Sequence, residues 1–356
     1  MDVNLRLRNW AGLSELVLDL ICKKLPSFSD CLRFSVVCKP WFSFVFNNCD
    51  ALKQRVKSGS LEELPILMIC TDPDHIATTI TSLYSATKGK IIENLTIPLG
   101  LQLWKFCGSS HGWLAFQYIE CLSIILYNPF STKTIPLPNL HFTVRKIIIS
   151  KNPSTNPNDF EVVATINVWN RLHELAILKP DAGTWIFTRY NNIFAGAICD
   201  MIYYNETYYA VTYGGRVLCI DGTSLNLKEI FEPPSIMNSF PFTKFYLVKT
   251  STYELLRVQI SFPRDNPSSR VKISKLVASK TTQKSMFSEL DNLGDEALFL
   301  CDYGSVSIST SKFSRFIPNS VYYVDNDLRL ELPGNQFIFD IIHLQYGSFR
   351  THFSFK

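Results

Sequence analysis

Apolar residues recur at two different periods along the chain, and the change between them falls near residue 59. Leu13, Leu16, Val17, Leu20, Ile21 and Leu25 follow i, i+3, i+4, i+7, i+8, i+12 spacing, which predicts an α-helix with one aliphatic stripe. Ser14 is suited to cap that helix through its hydroxyl and Glu15 to its positive end. Lys23 and Lys24 suit the negative end, and Pro26 cannot continue it. Ser29-Asp30 starts a second helix over Cys31 to Cys38, since Pro40 disfavours helical geometry at Lys39. Pro40 then opens a third helix with Trp41, Phe44, Val45 and Asn48. So small a bundle has too little apolar area to offset its chain entropy, so it leans either on the chain's own large domain or on a partner.

After a polar, basic stretch (Lys53, Arg55, Lys57, Ser58, Gly59, Ser60) the pattern changes to short strands between turn residues. Expected strands cover residues 66–70, 113–118, 123–127, 145–149, 160–166, 174–178, 184–188, 201–204, 208–213, 216–220, 245–249, 254–260, 297–301, 305–309 and 321–324. Turn signals such as Asn128-Pro129, Asn205-Glu206, Gly214-Gly215 and Asp325-Asn326 fall between them. Blades of four strands recur roughly every 40 to 50 residues in a β-propeller. The expected fold class is therefore α+β multidomain: a three-helix module with its linker over residues 1–58, then an all-β, propeller-like domain of six or seven degenerate blades over residues 59–356. Asp200-Met201-Ile202-Tyr203-Tyr204 and Asn319-Ser320-Val321-Tyr322-Tyr323 are a weak internal echo.

Composition agrees with a sheet-rich chain: aromatics reach 13% while charged residues stop at 19%. A net charge of +4 is too small to imply a nucleic-acid surface. No apolar run approaches the roughly 20 residues that span a bilayer, and Arg6, Arg8, Glu15 and Asp19 interrupt any signal-peptide pattern. No membrane or nucleic-acid partner is expected, and the expected location is the cytoplasm, the nucleus or both. The 10 cysteines form no C-x-x-C pair and are expected to be free and mostly buried.

Trp10-x-x-Leu13-x-x-Leu16, Ile21, Leu25-Pro26 and the run Leu32-Arg33-Phe34-Ser35-Val36-Val37-Cys38-Lys39-Pro40-Trp41 resemble an F-box, which typically ends R-F-x-x-V-C-x-x-W. One position departs from it: the usual Leu-Pro pair reads Leu13-Ser14, so a proline that contributes to adaptor contact is absent. Gly112-Trp113-Leu114, Leu126-Tyr127-Asn128-Pro129-Phe130-Ser131 and Ile135-Pro136-Leu137-Pro138 resemble the kelch-like C-terminal domain of a large plant F-box family. So do Asp200-x-x-Tyr203-x-x-x-x-Tyr208-Tyr209-Ala210-Val211 and Leu293-Gly294-Asp295-Glu296-Ala297-Leu298-Phe299-Leu300. The resemblance implies a non-catalytic substrate receptor of an SCF-type ubiquitin ligase. It would bind a Skp-type adaptor, and through it a cullin, by Leu13, Leu16, Ile21, Leu25, Leu32, Val36, Val37 and Trp41, and would hold an unidentified target protein on the propeller. Two rival readings stand beside it: a propeller that sequesters a partner outside any ligase, with the helices as a cap, and a propeller enzyme with a small substrate in its central channel.

Several chemical motifs lack their context. Gly108-Ser109-Ser110-His111-Gly112 fits G-x-S-x-G, but strand, turn and strand follow where a nucleophile elbow needs a helix. His173-Glu174 begins like a zincin helix, yet Ile177 stands where the second histidine belongs. Arg264, Arg270, Lys272, Lys275, Lys280 and Lys284 form the longest basic region, read as a solvated blade edge with loops. No phosphate-cradling glycine loop occurs, so no cofactor and no metal are expected.

Overall fold

The computed structural model describes residues 10–25, 31, 34–35, 37–48, 66–71, 79–85, 90–91, 104–129, 131–167, 175–179, 183–188, 197–220, 227–231, 242–262, 270–277, 286–311, 316–323, 336–344 and 347–354. The chain divides into two compact units: Met1–Ile66 with Ser85–Lys88, and Leu67–Tyr84 with Gly89–Lys356.

The first unit holds two α-helices among the described residues, α1 (Glu15–Lys24) and α2 (Lys39–Asn47), after a 3-10 turn at Trp10–Gly12. The expected three-helix module is thereby corrected. Among the described residues of the expected middle helix, Cys31, Phe34 and Ser35 have helical backbone, Val37 is a bend and Cys38 is irregular; Leu32, Arg33, Val36 and its start signal Ser29-Asp30 lie outside the described residues. Ser14 caps α1 differently from expectation. Its hydroxyl makes no capping bond; its extended backbone (φ −66°, ψ 154°) presents a carbonyl that accepts the N–H groups of Val17 and Leu18, each at 3.0 Å. At the far end Leu25 turns extended and its N–H donates to the Cys22 carbonyl, as Pro26 requires of the residue before it.

The second unit is a β-propeller. A three-stranded sheet, β1 (Ile66–Thr71), β2 (Thr79–Ser85) and β3 (Lys90–Ile91), precedes five larger ones. Blade one is β4 (Trp104–Ser110), β5 (Trp113–Tyr118), β6 (Ile124–Asn128) and β7 (Lys133–Leu137); blade two is β8 (Thr143–Ile149), β9 (Val162–Asn167), β10 (Leu175–Leu178) and β11 (Ile186–Thr188). Blade three is β12 (Ile198–Tyr204), β13 (Thr207–Thr212), β14 (Val217–Ile220) and β15 (Leu227–Phe231); blade four is β16 (Phe242–Lys249), β17 (Leu255–Phe262), β18 (Arg270–Val277) and β19 (Met286–Leu290). Each is a plain antiparallel meander. Blade five is built differently: β20 (Glu296–Leu300), β21 (Val306–Ser309), β22 (Ser320–Tyr323), β23 (Gln336–His343) and β24 (Gly347–Ser354) lie in the order β21-β20-β22-β23-β24, with β20 and β22 parallel.

The blades are held face to face by alternation along each strand. In β9, Val162, Ala164 and Ile166 pack with Trp113 and Leu126 of blade one, while Val163 between them packs with Met201 and Tyr208 of blade three. In β17, Leu255 packs with Val217 of blade three, while Leu256, Val258 and Ile260 pack with Leu298 and Tyr323 of blade five. A strand with period-two side chains and two apolar neighbours must be apolar on both faces, which is why β10, Leu175–Leu178, reads as a continuous hydrophobic run. The ring closes between the last blade and the first. Tyr303 packs its ring 5.0 Å from that of Phe106, and its carbonyl accepts the Ser109 N–H at 3.3 Å.

Five blades, not six or seven, are therefore present among the described residues. The excess in the sequence estimate comes from treating the domain length as uniformly divided. The strands β1, β2 and β3 form a separate small sheet, and long connections, such as the one from Ile149 to Val162, stretch the blade repeat. Of the basic region read as a solvated blade edge with loops, Arg264, Lys280 and Lys284 lie outside the described residues. Arg270–Val277 is β18, third in its sheet and covered by β19, with Lys272 paired to Glu289 at 3.7 Å and Lys275 paired to Glu254.

Candidate functional site

The two helices of the first unit share a small core of Leu18, Cys22, Cys31, Phe34, Phe44 and Val45. Leu13, Ile21, Leu25 and Trp41 pack against it, half-buried. Trp41 is fixed on both sides: its ring stacks on Phe34 with centroids 4.4 Å apart, and its indole N–H donates to the Trp10 carbonyl at 3.0 Å. Asp19 and Lys23 form an i, i+4 ion pair at 2.6 Å on the solvent side of α1, worth a few tenths of a kcal/mol.

At about 100° per residue, Leu18, Ile21, Cys22 and Leu25 fall on one arc of α1, while Leu16, Val17 and Leu20 fall on the adjoining arc. The second arc is left open. Leu16 is 71% exposed and Leu20 53%, with Trp10 at 58%, Val37 at 59% and Phe42 at 54%. Scattered exposed leucines are ordinary, but six large apolar side chains, Val17 included, on a module of two helices are not. Burying a Leu-sized side chain is worth about 1.5–3 kcal/mol, so a partner covering this face has a substantial driving force.

The structure thus splits the residues singled out for adaptor contact. Leu16 and Val37 stand exposed; Leu13, Ile21, Leu25 and Trp41 belong to the core side; Leu32 and Val36 lie outside the described residues. Trp10, Leu20 and Phe42 are exposed as well, although the sequence pattern did not single them out. The signal for them was present: α1 is apolar around more of its circumference than one core-facing stripe needs, with Leu18 and Cys22 marking the inner arc.

The propeller supplies structural rather than reactive chemistry at the positions where motifs had suggested it. Ser110 and His111 close the β4–β5 hairpin, with φ of 53° at His111 and 77° at Gly112. The Ser110 hydroxyl accepts the Ile149 N–H at 3.2 Å, and His111 Nε2 lies 3.2 Å from the Ser150 carbonyl, so both join blade one to blade two. His173 lies outside the described residues. Near the axis, Asp200 meets Lys146 and accepts the N–H groups of Met201 (2.7 Å) and Leu247 (2.8 Å), and Asp302 accepts the Tyr246 hydroxyl at 3.0 Å. A cavity of about 260 Å³ lies between the Thr250–Glu254 hairpin and residues 292–296. Its carboxylates are engaged: Glu254 with Lys275, Glu296 with Ser251 and Ser307, Asp295 with Ser309 and Thr310. Among the described residues no group of three His, Cys, Asp or Glu side chains is placed to hold a metal, and no helix is long and apolar enough to cross a membrane.

The family model described as KIB1-4 beta-propeller matches residues 83–340 of the chain. No curated protein matches its sequence. Solved structures similar to it include the N-terminal domain of Nup159, at TM-score 0.33 and 10% identity over 67% of this chain, which spans 56% of that domain. A chain from an S. cerevisiae complex of dbp5 bound to nup159, gle1, ip6 and adp aligns at TM-score 0.37 and 10% identity, over 82% of this chain and 94% of that one. The Myceliophteria thermophila Cps50 (Swd1) β-propeller domain aligns at TM-score 0.38 and 9% identity, over 69% and 70%.

Proposed function

The chain belongs to the KIB1-4 beta-propeller family, and from that premise we propose that it is the substrate-receptor subunit of an SCF-type ubiquitin ligase. In this reading the helices of the first unit are an F-box that docks a Skp-type adaptor and through it a cullin, and the propeller holds a target protein. The single observation that carries it is the open apolar arc of Leu16 and Leu20, with Trp10, Val37 and Phe42 also exposed, on a helical pair whose own core is already complete.

A receptor of this kind performs no bond chemistry itself. Tethering raises the effective concentration of target lysines near a charged conjugating enzyme, which accelerates transfer by proximity. The internal engagement of Asp200, Asp302, Glu254 and Glu296 fits a scaffold rather than a catalyst. The reading is tested by pull-down of a Skp-type adaptor with the full chain. Retention of the adaptor by the wild type supports it, and its absence from the bound fraction overturns it.

A further inference from the structure

The cavity between the β16–β17 hairpin and the start of β20 has two kinds of wall. Leu256 and Leu293 belong to the buried core shared by blades four and five, and Leu290 packs against it, so one side of the cavity is apolar. The other side carries Glu254 from the hairpin of blade four, and Asp295 and Glu296 from the start of blade five. At about 260 Å³ the cavity is smaller than the roughly 300–1,000 Å³ of sites that enclose a whole small molecule. That volume suits one inserted side chain.

Two of the three carboxylates lack a cation. Glu254 pairs with Lys275 of β18. Glu296, only 8% exposed, is held by neutral donors alone: the Ser251 and Ser307 hydroxyls and the Ser251 N–H at 3.4 Å. Asp295 likewise accepts the Ser309 and Thr310 hydroxyls and the Ser311 N–H at 2.9 Å. Among the described residues neither Asp295 nor Glu296 has a cation in ion-pair range. Hydroxyls satisfy geometry without cancelling charge, and the low dielectric around a buried carboxylate strengthens its attraction for a cation that enters. Acceptor capacity also remains. A carboxylate has about four lone-pair sites, and Glu254 Oε2, Asp295 Oδ2 and Glu296 Oε1 each keep at least one unused.

We propose that this cavity receives the guanidinium of an arginine side chain presented by the target polypeptide, a partner chemistry that rests on the reading of the propeller as the target-holding domain. Among the described residues no three acidic side chains converge as a metal ion requires. A guanidinium is broader and carries five donors in a planar fork, so it can reach carboxylates on opposite walls, which a compact ammonium cannot. The arginine stem can lie along the leucines while its head stays among the carboxylates. Tyr253 favours a polypeptide over a free small cation. It stands 68% exposed in the same hairpin, its carbonyl accepts the Tyr204 hydroxyl at 2.8 Å, and Lys249 lies over its ring at 4.2 Å. An exposed tyrosine on a held backbone beside a pocket has the make-up of a protein contact.

The test is a ligand-observed NMR titration of the full chain at constant ionic strength, without adaptor, so that its outcome is separate from adaptor docking. The probes are acetyl-arginine amide, its neutral isostere acetyl-citrulline amide, acetyl-lysine amide and free arginine. The capped arginine is expected to bind saturably and more tightly than the other three. Asp295→Asn and Glu296→Gln are each expected to weaken it about tenfold or more, the scale of a lost charge-assisted bond. Asp159→Asn, an exposed carboxylate of blade two paired with Lys151, is expected to leave it unchanged. Should Glu296→Gln not fold, the exposed Asp295→Asn carries the comparison. Citrulline, lysine or free arginine binding as tightly as the capped arginine, or an Asp295→Asn variant that binds like wild type, overturns the proposal.

Discussion

Asp200 on β12 and Lys146 on β8 form an ion pair that is almost fully removed from solvent, with side chains 2% and 6% exposed. The same carboxylate accepts the Leu247 N–H of β16, so one side chain links three consecutive blades. Removing one partner of such a pair strands the other charge, which costs about 3–5 kcal/mol. Lys146→Met should therefore lower the denaturation midpoint strongly, and the double replacement Lys146→Met with Asp200→Leu should lower it less than the two single losses combined. Urea unfolding followed by tryptophan fluorescence measures both.

Gly108 is required by a close approach rather than by catalysis. Its φ of 151° is unfavourable for side-chain-bearing residues, and a Cβ there would stand 2.3 Å from the Ile147 carbonyl oxygen of the neighbouring blade. Gly108→Ala is expected to destabilise the fold by more than the ~1 kcal/mol typical of a point mutant. Gly112→Ala, where a Cβ meets nothing within 4 Å, should cost only the turn strain of its positive φ. Thermal midpoints of the two variants decide the ranking, and equal losses would contradict it.

These residues also show what the sequence could and could not reveal. The strand Trp113–Tyr118 was legible to the residue because its apolar run ends at clear turn signals. Its neighbour Trp104–Ser110 was not: the bulge between Phe106 and Gly108 breaks the alternation, and the glycine reads as a turn. Lys133–Leu137 was hidden by Pro136, which an outermost strand tolerates. Arg270–Val277 was hidden by charges that pair across the sheet with Glu254 and Glu289. The paired-tyrosine echo was misleading as a repeat marker, since Tyr203 and Tyr204 end the first strand of blade three while Tyr322 and Tyr323 end a strand third in order in blade five. At the helices, spacing alone identified an apolar α1 but not which arc the module keeps for itself, because that depends on where Phe34 and Phe44 meet it.

Asp295 offers a pH readout. Hydroxyl hydrogen bonds from Ser309 and Thr310, joined by Ser311, hold its carboxyl down at about 2, against about 3.9 for a free aspartate. A depressed folded-state value means that its contribution to stability is complete above the unfolded value and is lost as pH falls towards 2. Ser309→Ala should move the carboxyl up towards the free value in an NMR titration. Asp295→Asn should reduce the loss of stability between about pH 4 and pH 2.

The thiols should divide by environment. Burial pushes Cys107 up to about 12 and raises Cys199 and Cys301 as well, whereas exposed Cys121 is lowered by hydrogen bonding to Ser123. The expectation of mostly buried thiols is thereby corrected: among the described residues Cys22, Cys31 and Cys107 are buried, whereas Cys38, Cys199, Cys219 and Cys301 are intermediate and Cys121 is exposed. With iodoacetamide at neutral pH, Cys121 should be alkylated before Cys107 and Cys199 in the native protein. Peptide mass spectrometry of a time course checks the order, and early labelling of Cys107 would contradict the packing of blades one and two.

Adaptor docking through the open arc of α1 is the claim on which the functional account turns. Trp41 is a poor probe of it, because its loss also removes the Phe34 stack and the Trp10 bond that shape the module. Leu16 is a good one, being 71% exposed and outside the core. The most direct measurement is titration calorimetry of the full chain with a purified Skp-type adaptor, comparing wild type with Leu16→Asp and checking both by circular dichroism. The account predicts binding by the wild type and a loss of at least about tenfold in affinity, roughly 1.4 kcal/mol, in a variant with unchanged fold and Tm. Wild-type affinity in the Leu16→Asp variant would contradict it.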